Sequence, residues 1–89
     1  MIEFDPTKAA SNLVKHGVDF IEAATALDDP LARSLPDPDS QGEARWVSLG
    51  QSDQGRLLVV VWTERGEAIR LISARRATRT EEKTYAQGI

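Results

Sequence analysis

The chain has 89 residues, 28% of them charged, a net charge of −3 and no cysteine. These values exclude disulfides and thiolate metal sites, and they leave room for a single domain over residues 1–89. No apolar run approaches the roughly 20 residues a membrane span needs, and the acidic start Met1-Ile2-Glu3-Phe4-Asp5 has no signal-peptide pattern, so a soluble cytoplasmic protein is expected.

Asp5-Pro6 reads as an N-cap followed by proline at the first helical position, and Gly17 sits where a left-handed C-cap is wanted. A helix is therefore predicted over residues 6–16. Its thin apolar stripe is Ala9 or Ala10, Leu13 and Val14, with Lys8, Asn12 and Lys15 on the polar side. Asp19 and Glu22 form a variant capping box with Val18 as a staple, opening a second helix from residue 20 to about 27. Its buried face is Phe20, Ala23, Ala24 and Leu27. Asp28-Asp29-Pro30 stops it.

Four strands follow. Residues 31–35 form a short one, closed by the turn-rich run Pro36 to Gly42. Residues 43–49 alternate roughly, and Gly50 to Gly55 reads as a hairpin loop. The strongest strand is 56–63, whose Leu-Leu-Val-Val-Val-Trp suggests a central position. Glu64 to Glu67 turns into a strand over 68–74. The short links imply an antiparallel meander. Thr78 and Glu81 form a capping box for a last helix to about residue 87, too short to stand alone and anchored by Tyr85. The expected fold class is α+β, with two N-terminal helices, a four-stranded antiparallel sheet and a short C-terminal helix, in the order α-α-β-β-β-β-α.

Charge is uneven along the chain. Residues 1–44 net −6 and residues 45–89 net +3. A basic second half leaves room for a local patch that steers a polyanion. Four of the eight arginines, Arg70, Arg75, Arg76 and Arg79, crowd into residues 68–79, where a strand feeds a helix start. Guanidinium forks and free helix N–H groups both favour phosphate.

The motifs in order resemble the BrnT toxin family. They are Phe4-Asp5-Pro6 with Lys8 and Asn12, Lys15-His16-Gly17-Val18 with Phe20, Glu43 with Arg45-Trp46 and Gly50, the Leu-Val-Val-Val strand, Thr63-Glu64-Arg65-Gly66, and Arg70-Leu71-Ile72-Ser73-Ala74-Arg75-Arg76-Ala77-Thr78 ending near Glu81 and Tyr85. The resemblance implies a RelE-like fold and a ribonuclease toxin of a bacterial type II toxin–antitoxin module that halts translation. It also implies a BrnA antitoxin with a ribbon-helix-helix DNA-binding part, whose complex with the toxin represses its own operon. Operator DNA would be met only through that complex, and no cofactor is expected. The tail departs from a basic grip on RNA, since Lys83 is the lone lysine or arginine beyond Arg79.

Metal-free RNA cleavage needs a base for the ribose 2′-OH, positive charge on the phosphorane and a proton for the leaving oxygen. Arginine supplies charge but is a poor base. Arg75 and Arg76 are the candidate phosphate clamp, or they pair with Glu81, Glu82 or a partner's carboxylate. Arg70 shares strand parity with Ile72 and Ala74, and either faces the substrate or pairs with Glu64 or Glu67. Arg45 and Trp46 face opposite ways, with Trp46 the candidate for the core. His16 is a candidate base near neutrality, or only a helix C-terminal residue. Tyr85 is a candidate acid or base, or only an anchor, and Glu64 is a weaker base. Lys8, Lys15 and Arg79 are candidate phosphate contacts, alongside Arg75 and Arg76. Asp28-Asp29 and Asp37-x-Asp39 fit turns and caps better than Mg²⁺. The rival to a nuclease is an inactive interaction module that only binds antitoxin. A free-standing DNA-binding protein lacks a helix with the required basic face.

Overall fold

A computed structural model describes residues 1–88. The elements are β1 (Ile2–Glu3), α1 (Pro6–His16), α2 (Phe20–Ala26), β2 (Arg33–Pro36), β3 (Trp46–Gln51), β4 (Leu57–Arg65), β5 (Ala68–Arg76) and α3 (Arg79–Gln87). The α+β class holds, with three helices, but the sheet corrects the expected form. It has five strands in the order β1-β5-β4-β3-β2, and β1 runs parallel to β5 while the other pairs are antiparallel. A two-residue strand is too short for alternation to announce it. It is held by the Ile2–Ile69 and Glu3–Arg70 register and by Ile69 N–H donating to the Met1 carbonyl at 2.7 Å. The strand order does not by itself yield the RelE-like arrangement that the resemblance implied.

The helix caps follow the sequence closely. The Asp5 carboxylate accepts the Thr7 N–H at 2.8 Å, and Gly17, at φ 69°, closes α1 in the left-handed conformation that glycine adopts without penalty. Thr78 and Glu81 form the reciprocal capping box at the start of α3. The core lies between α2 and the sheet. Phe20, Val18, Ala23 and Ala26 pack on Leu58, Val60, Leu71 and Ala74, and Phe4 meets Phe20 edge-on with ring centroids 5.4 Å apart. Each large side chain buried there contributes about 1.5–3 kcal/mol.

Two local readings change. Of the apolar stripe expected on α1, Ala9 packs against the core, but Val14 is 89% exposed and Leu13 half exposed. Asn12, expected on the polar side, is the buried residue. Its amide donates to the carbonyls of Val18 and Ala74 at 3.0 and 2.9 Å and accepts the Ala74 N–H at 3.0 Å. Asn12 thus satisfies the outer edge of β5 beyond the reach of β1, where unpaired backbone groups would otherwise be buried. Glu22 does not complete a capping box. Its side chain, only 2% exposed, turns inward to the Arg56 guanidinium and to Ser52 Oγ (2.7 Å), and Arg56 also donates to the Gly17 carbonyl at 3.3 Å. One ion pair thereby ties α2, the α1 terminus and the β3–β4 loop together.

β5 carries a bulge. Val61 opposes Ser73 and Trp62 opposes Leu71, so Ile72 is the extra residue. Ile69 and Leu71 before it, and Ala74 after it, join the core side. Arg70, Ser73 and Arg75 oppose Thr63, Val61 and Val59, and so lie on the other face. The expected shared parity of Arg70 with Ala74 is therefore wrong, because the bulge reverses parity between them.

Gly50 lets the end of α2 come close against the sheet. A Cβ there would collide with the Ala26 carbonyl and sit 3.2 Å from the Ala32 Cβ. Gly50→Ala is expected to destabilise the fold by about 1–3 kcal/mol, seen as a lower urea midpoint at unchanged slope. An unchanged midpoint would show that α2 yields freely.

Candidate functional site

On the sheet face away from α2, a cleft of about 390 Å³ is lined by Lys8, Arg45, Arg65, Arg70, Thr63, Ile72 and the loop residues Asp39, Gln41 and Glu43. Alternation along the strands gathers it. Thr63 and Arg65 share a face of β4, and Arg70 stands directly opposite Thr63 on β5. Arg45 enters from the segment before β3, while its neighbour Trp46 turns to the other face and stacks on Trp62, with centroids 6.0 Å apart. Trp46 is half-buried rather than fully in the core. Lys8 reaches in from α1, which the Asn12 bonds hold against the edge of β5. Thr63 is buried and fixes the loop by donating to the Ala44 carbonyl at 2.6 Å.

Electrostatically the cleft holds four cations, each guanidinium loosely met by a carboxylate. Arg45 lies 3.3 Å from Asp37, Arg65 is 3.5 Å from Glu43, and Arg70 is 3.9 Å from Glu3. Neither Glu64 nor Glu67 is the partner of Arg70. The Arg45 Nε–H is buried and has no acceptor among the described residues. The preference of such a donor is for an anion.

A shallow groove continues from the cleft, sharing Lys8 and Ile72 with it and adding Ser11, Lys15, His16 and Ser73. Five expected site residues, Lys8, Lys15, His16, Arg45 and Arg70, thus lie on one continuous surface. The others do not join it. Arg75 makes a two-pronged pair with Glu81 at 2.9 Å on both arms, tying α3 to the sheet. Arg76 opposes Leu58 on the core-side face, so the pair Arg75–Arg76 does not form one clamp. Arg79 lies on α3 beside Glu82, Lys83 and Ala86. The Tyr85 hydroxyl is committed to Asp29, and that bond pushes its ionisation above the ordinary phenol value, with burial adding to it. Asp29 also accepts the N–H groups of Leu31 and Gln51, and Asp37 accepts that of Asp39, which are the turn roles expected of both clusters. Among the described residues no three His, Cys, Asp or Glu side chains gather as a metal site. Arg65 and the loop residues were missed as site members. The signal for Arg65 was its spacing of two from Thr63; the loop residues carry no comparable periodicity.

Arg75→Ala is expected to leave cleft chemistry within about threefold of the parent while loosening α3, at a cost of about 1 kcal/mol or less for so exposed a pair. The Arg75 guanidinium, against the opposing effect of burial, holds Glu81 down at about 2. That contribution is present above the ordinary value of 4.5 and is lost as the pH falls from there towards 2. Hydrogen exchange across α3 in parent and variant checks it; equal protection would remove the anchoring role.

A family described as "Ribonuclease toxin, BrnT, of type II toxin-antitoxin system" matches residues 4–81. Among solved structures, the Brucella abortus ribonuclease toxin BrnT is similar to this chain with a TM-score of 0.69 and 27% identity, over 88% of this chain and 96% of that one. No match was found among curated protein sequences.

Proposed function

The chain belongs to the BrnT family of ribonuclease toxins of type II toxin–antitoxin systems, and from that premise we propose that it is an endoribonuclease that cuts RNA in the cleft formed by Lys8, Arg45, Arg65 and Arg70. The observation that carries the proposal is the convergence of these four cations, with the unpartnered Arg45 Nε–H, on one open face. Fixed guanidinium groups aimed at one place stabilise charge as it develops on a phosphorane, without reorganising during the reaction. His16 lies along the adjoining groove and carries the one imidazole of the chain, the side chain most often used for proton transfer. It takes the 2′-OH proton, the 2′-oxygen attacks the adjacent phosphorus, and the bond to the 5′-oxygen breaks as the cyclic phosphate forms, the leaving oxygen taking its proton from solvent water. The cations supply the charge in this scheme and no metal is required.

Membership in the family brings an antitoxin partner and an RNA target. The finer reading is that cleavage inhibits translation, that a BrnA-type antitoxin with a ribbon-helix-helix part neutralises the toxin, and that the complex represses its own operon. A RelE-like relationship and action in the cytoplasm belong to the same reading; no helix among the described residues is long and apolar enough to cross a membrane. The test is incubation of the purified chain with RNA in excess chelator, with the product ends identified. Fragments ending in cyclic phosphate are expected. Intact RNA under chelator, with cleavage restored by Mg²⁺, would overturn the metal-independent scheme. A pH–rate profile that keeps its acid limb in His16→Ala would remove His16 as the base.

A further inference from the structure

The chain uses its Arg–carboxylate pairs in two distinct ways. Arg56 with Glu22 and Arg75 with Glu81 are two-pronged pairs. The three cleft arginines make single contacts at 3.3, 3.5 and 3.9 Å with Asp37, Glu43 and Glu3. These carboxylates come from three separate places: β1, the residue after β2, and the loop before β3. Each segment delivers one carboxylate to one cleft cation. A phosphate that grips a guanidinium with two oxygens outcompetes a single long contact; Glu43 and Glu3 are exposed enough to swing away, and Asp37, at 12% exposure, is the most firmly seated of the three. Lys8 has no carboxylate within 4.0 Å among the described residues, so a strand meets no competitor there.

We propose that Glu3, Asp37 and Glu43 act as internal phosphate surrogates, which compete with the RNA strand for Arg70, Arg45 and Arg65 and so set how tightly it is held. The proposal rests on the reading of the cleft as an RNA site. The surrogates keep the guanidinium groups oriented when the cleft is empty, and they return to them as product leaves. They also explain how a chain with a net charge of −3 carries a polyanion site without a strongly basic surface. As a strand displaces each carboxylate, that carboxylate takes up a cation, which offsets part of the counterion release that drives binding.

The experiment measures binding of an uncleavable 2′-O-methyl oligoribonucleotide across a salt series. The chains compared are the parent, the amide variant Glu3→Gln/Asp37→Asn/Glu43→Gln, and a control, Asp28→Asn/Glu67→Gln/Glu82→Gln, with the same charge change away from the arginine pairs. The amides keep the hydrogen-bond acceptors, including the Asp37 contact to the Asp39 N–H. Single contacts of this kind are each worth roughly 2- to 5-fold, so the amide variant should bind about eightfold tighter or more. Its salt dependence should steepen by up to about 0.7 per freed contact on the logarithmic slope, while the control changes little on either count. An amide variant that binds no tighter, or a control that gains as much in affinity and slope, overturns the surrogate role and leaves the RNA site standing. Failure of all three chains to bind the oligonucleotide takes down the RNA site itself, and the surrogate role with it.

Discussion

Arg70→Ala should lower single-turnover RNA cleavage by about 10²- to 10³-fold while leaving the fold intact, the size of effect seen when one preorganised charge stabiliser is removed. Arg70 stands in β5 opposite Thr63, in the cleft that Lys8, Arg45 and Arg65 also line. Its only ion pair among the described residues is the 3.9 Å contact to Glu3, so its removal costs little stability. The hairpin beneath it is held by backbone ladders that alanine preserves. Arg70→Lys should recover only part of the loss, because an ammonium lacks the planar fork. Cleavage by Arg70→Ala within about threefold of the parent would move the chemistry out of this cleft.

The largest stability effect should come from Glu22→Gln, at about 3–5 kcal/mol, because it leaves the Arg56 charge without its partner. That is a large part of the roughly 5–15 kcal/mol available to a domain. Glu22 is a buried residue of α2, and Arg56 reaches from it to the Gly17 carbonyl, so α1, α2 and the β3–β4 loop lose one shared fastening. The bond from Arg56 holds the Glu22 carboxyl below its ordinary value of 4.5 against the opposing effect of burial, and Ser52 assists. A carboxyl depressed in the folded state stabilises the fold above its unfolded value and loses that contribution as the pH drops through the folded one. The parent should therefore weaken below about pH 4.5, while Glu22→Gln should be less stable at neutrality and flatter in acid. Urea midpoints from neutral pH downwards check both parts; a variant within about 1 kcal/mol of the parent at neutrality would mean that Arg56 finds solvent at no cost.

Much of this molecule was legible in its sequence because the signals are local. Asp5-Pro6, Gly17 and the Thr78–Glu81 box mark helix ends through backbone groups a few residues away, and the helices begin and end there. What the sequence hid depends on distant partners. Asn12 looks like a surface residue until the edge of β5 lies beside it, 62 residues away in the chain. Glu22 satisfies a capping pattern yet finds a stronger partner in Arg56. Arg75 and Arg76 drew attention as neighbours, but neighbours in a strand point apart. Arg45, Lys8 and Arg70 come from three elements, and only the folded sheet shows them around one cleft. Their charge was readable; their company was not.

The extra residue at Ile72 sets the phase of the whole strand. In a regular strand, residues five apart face opposite ways, yet Arg70 and Arg75 share a face because the bulge falls between them. One arginine serves the cleft and the other fastens α3, so a single inserted residue keeps both tasks on the same side. Deleting Ile72 alone would remove the bulge and leave the two arginines four residues apart, still on one face, whereas moving the bulge outside this segment at unchanged length would turn one of them toward the core side. The length of this segment and the presence of its bulge are therefore constrained together, even where the side chains are free to vary.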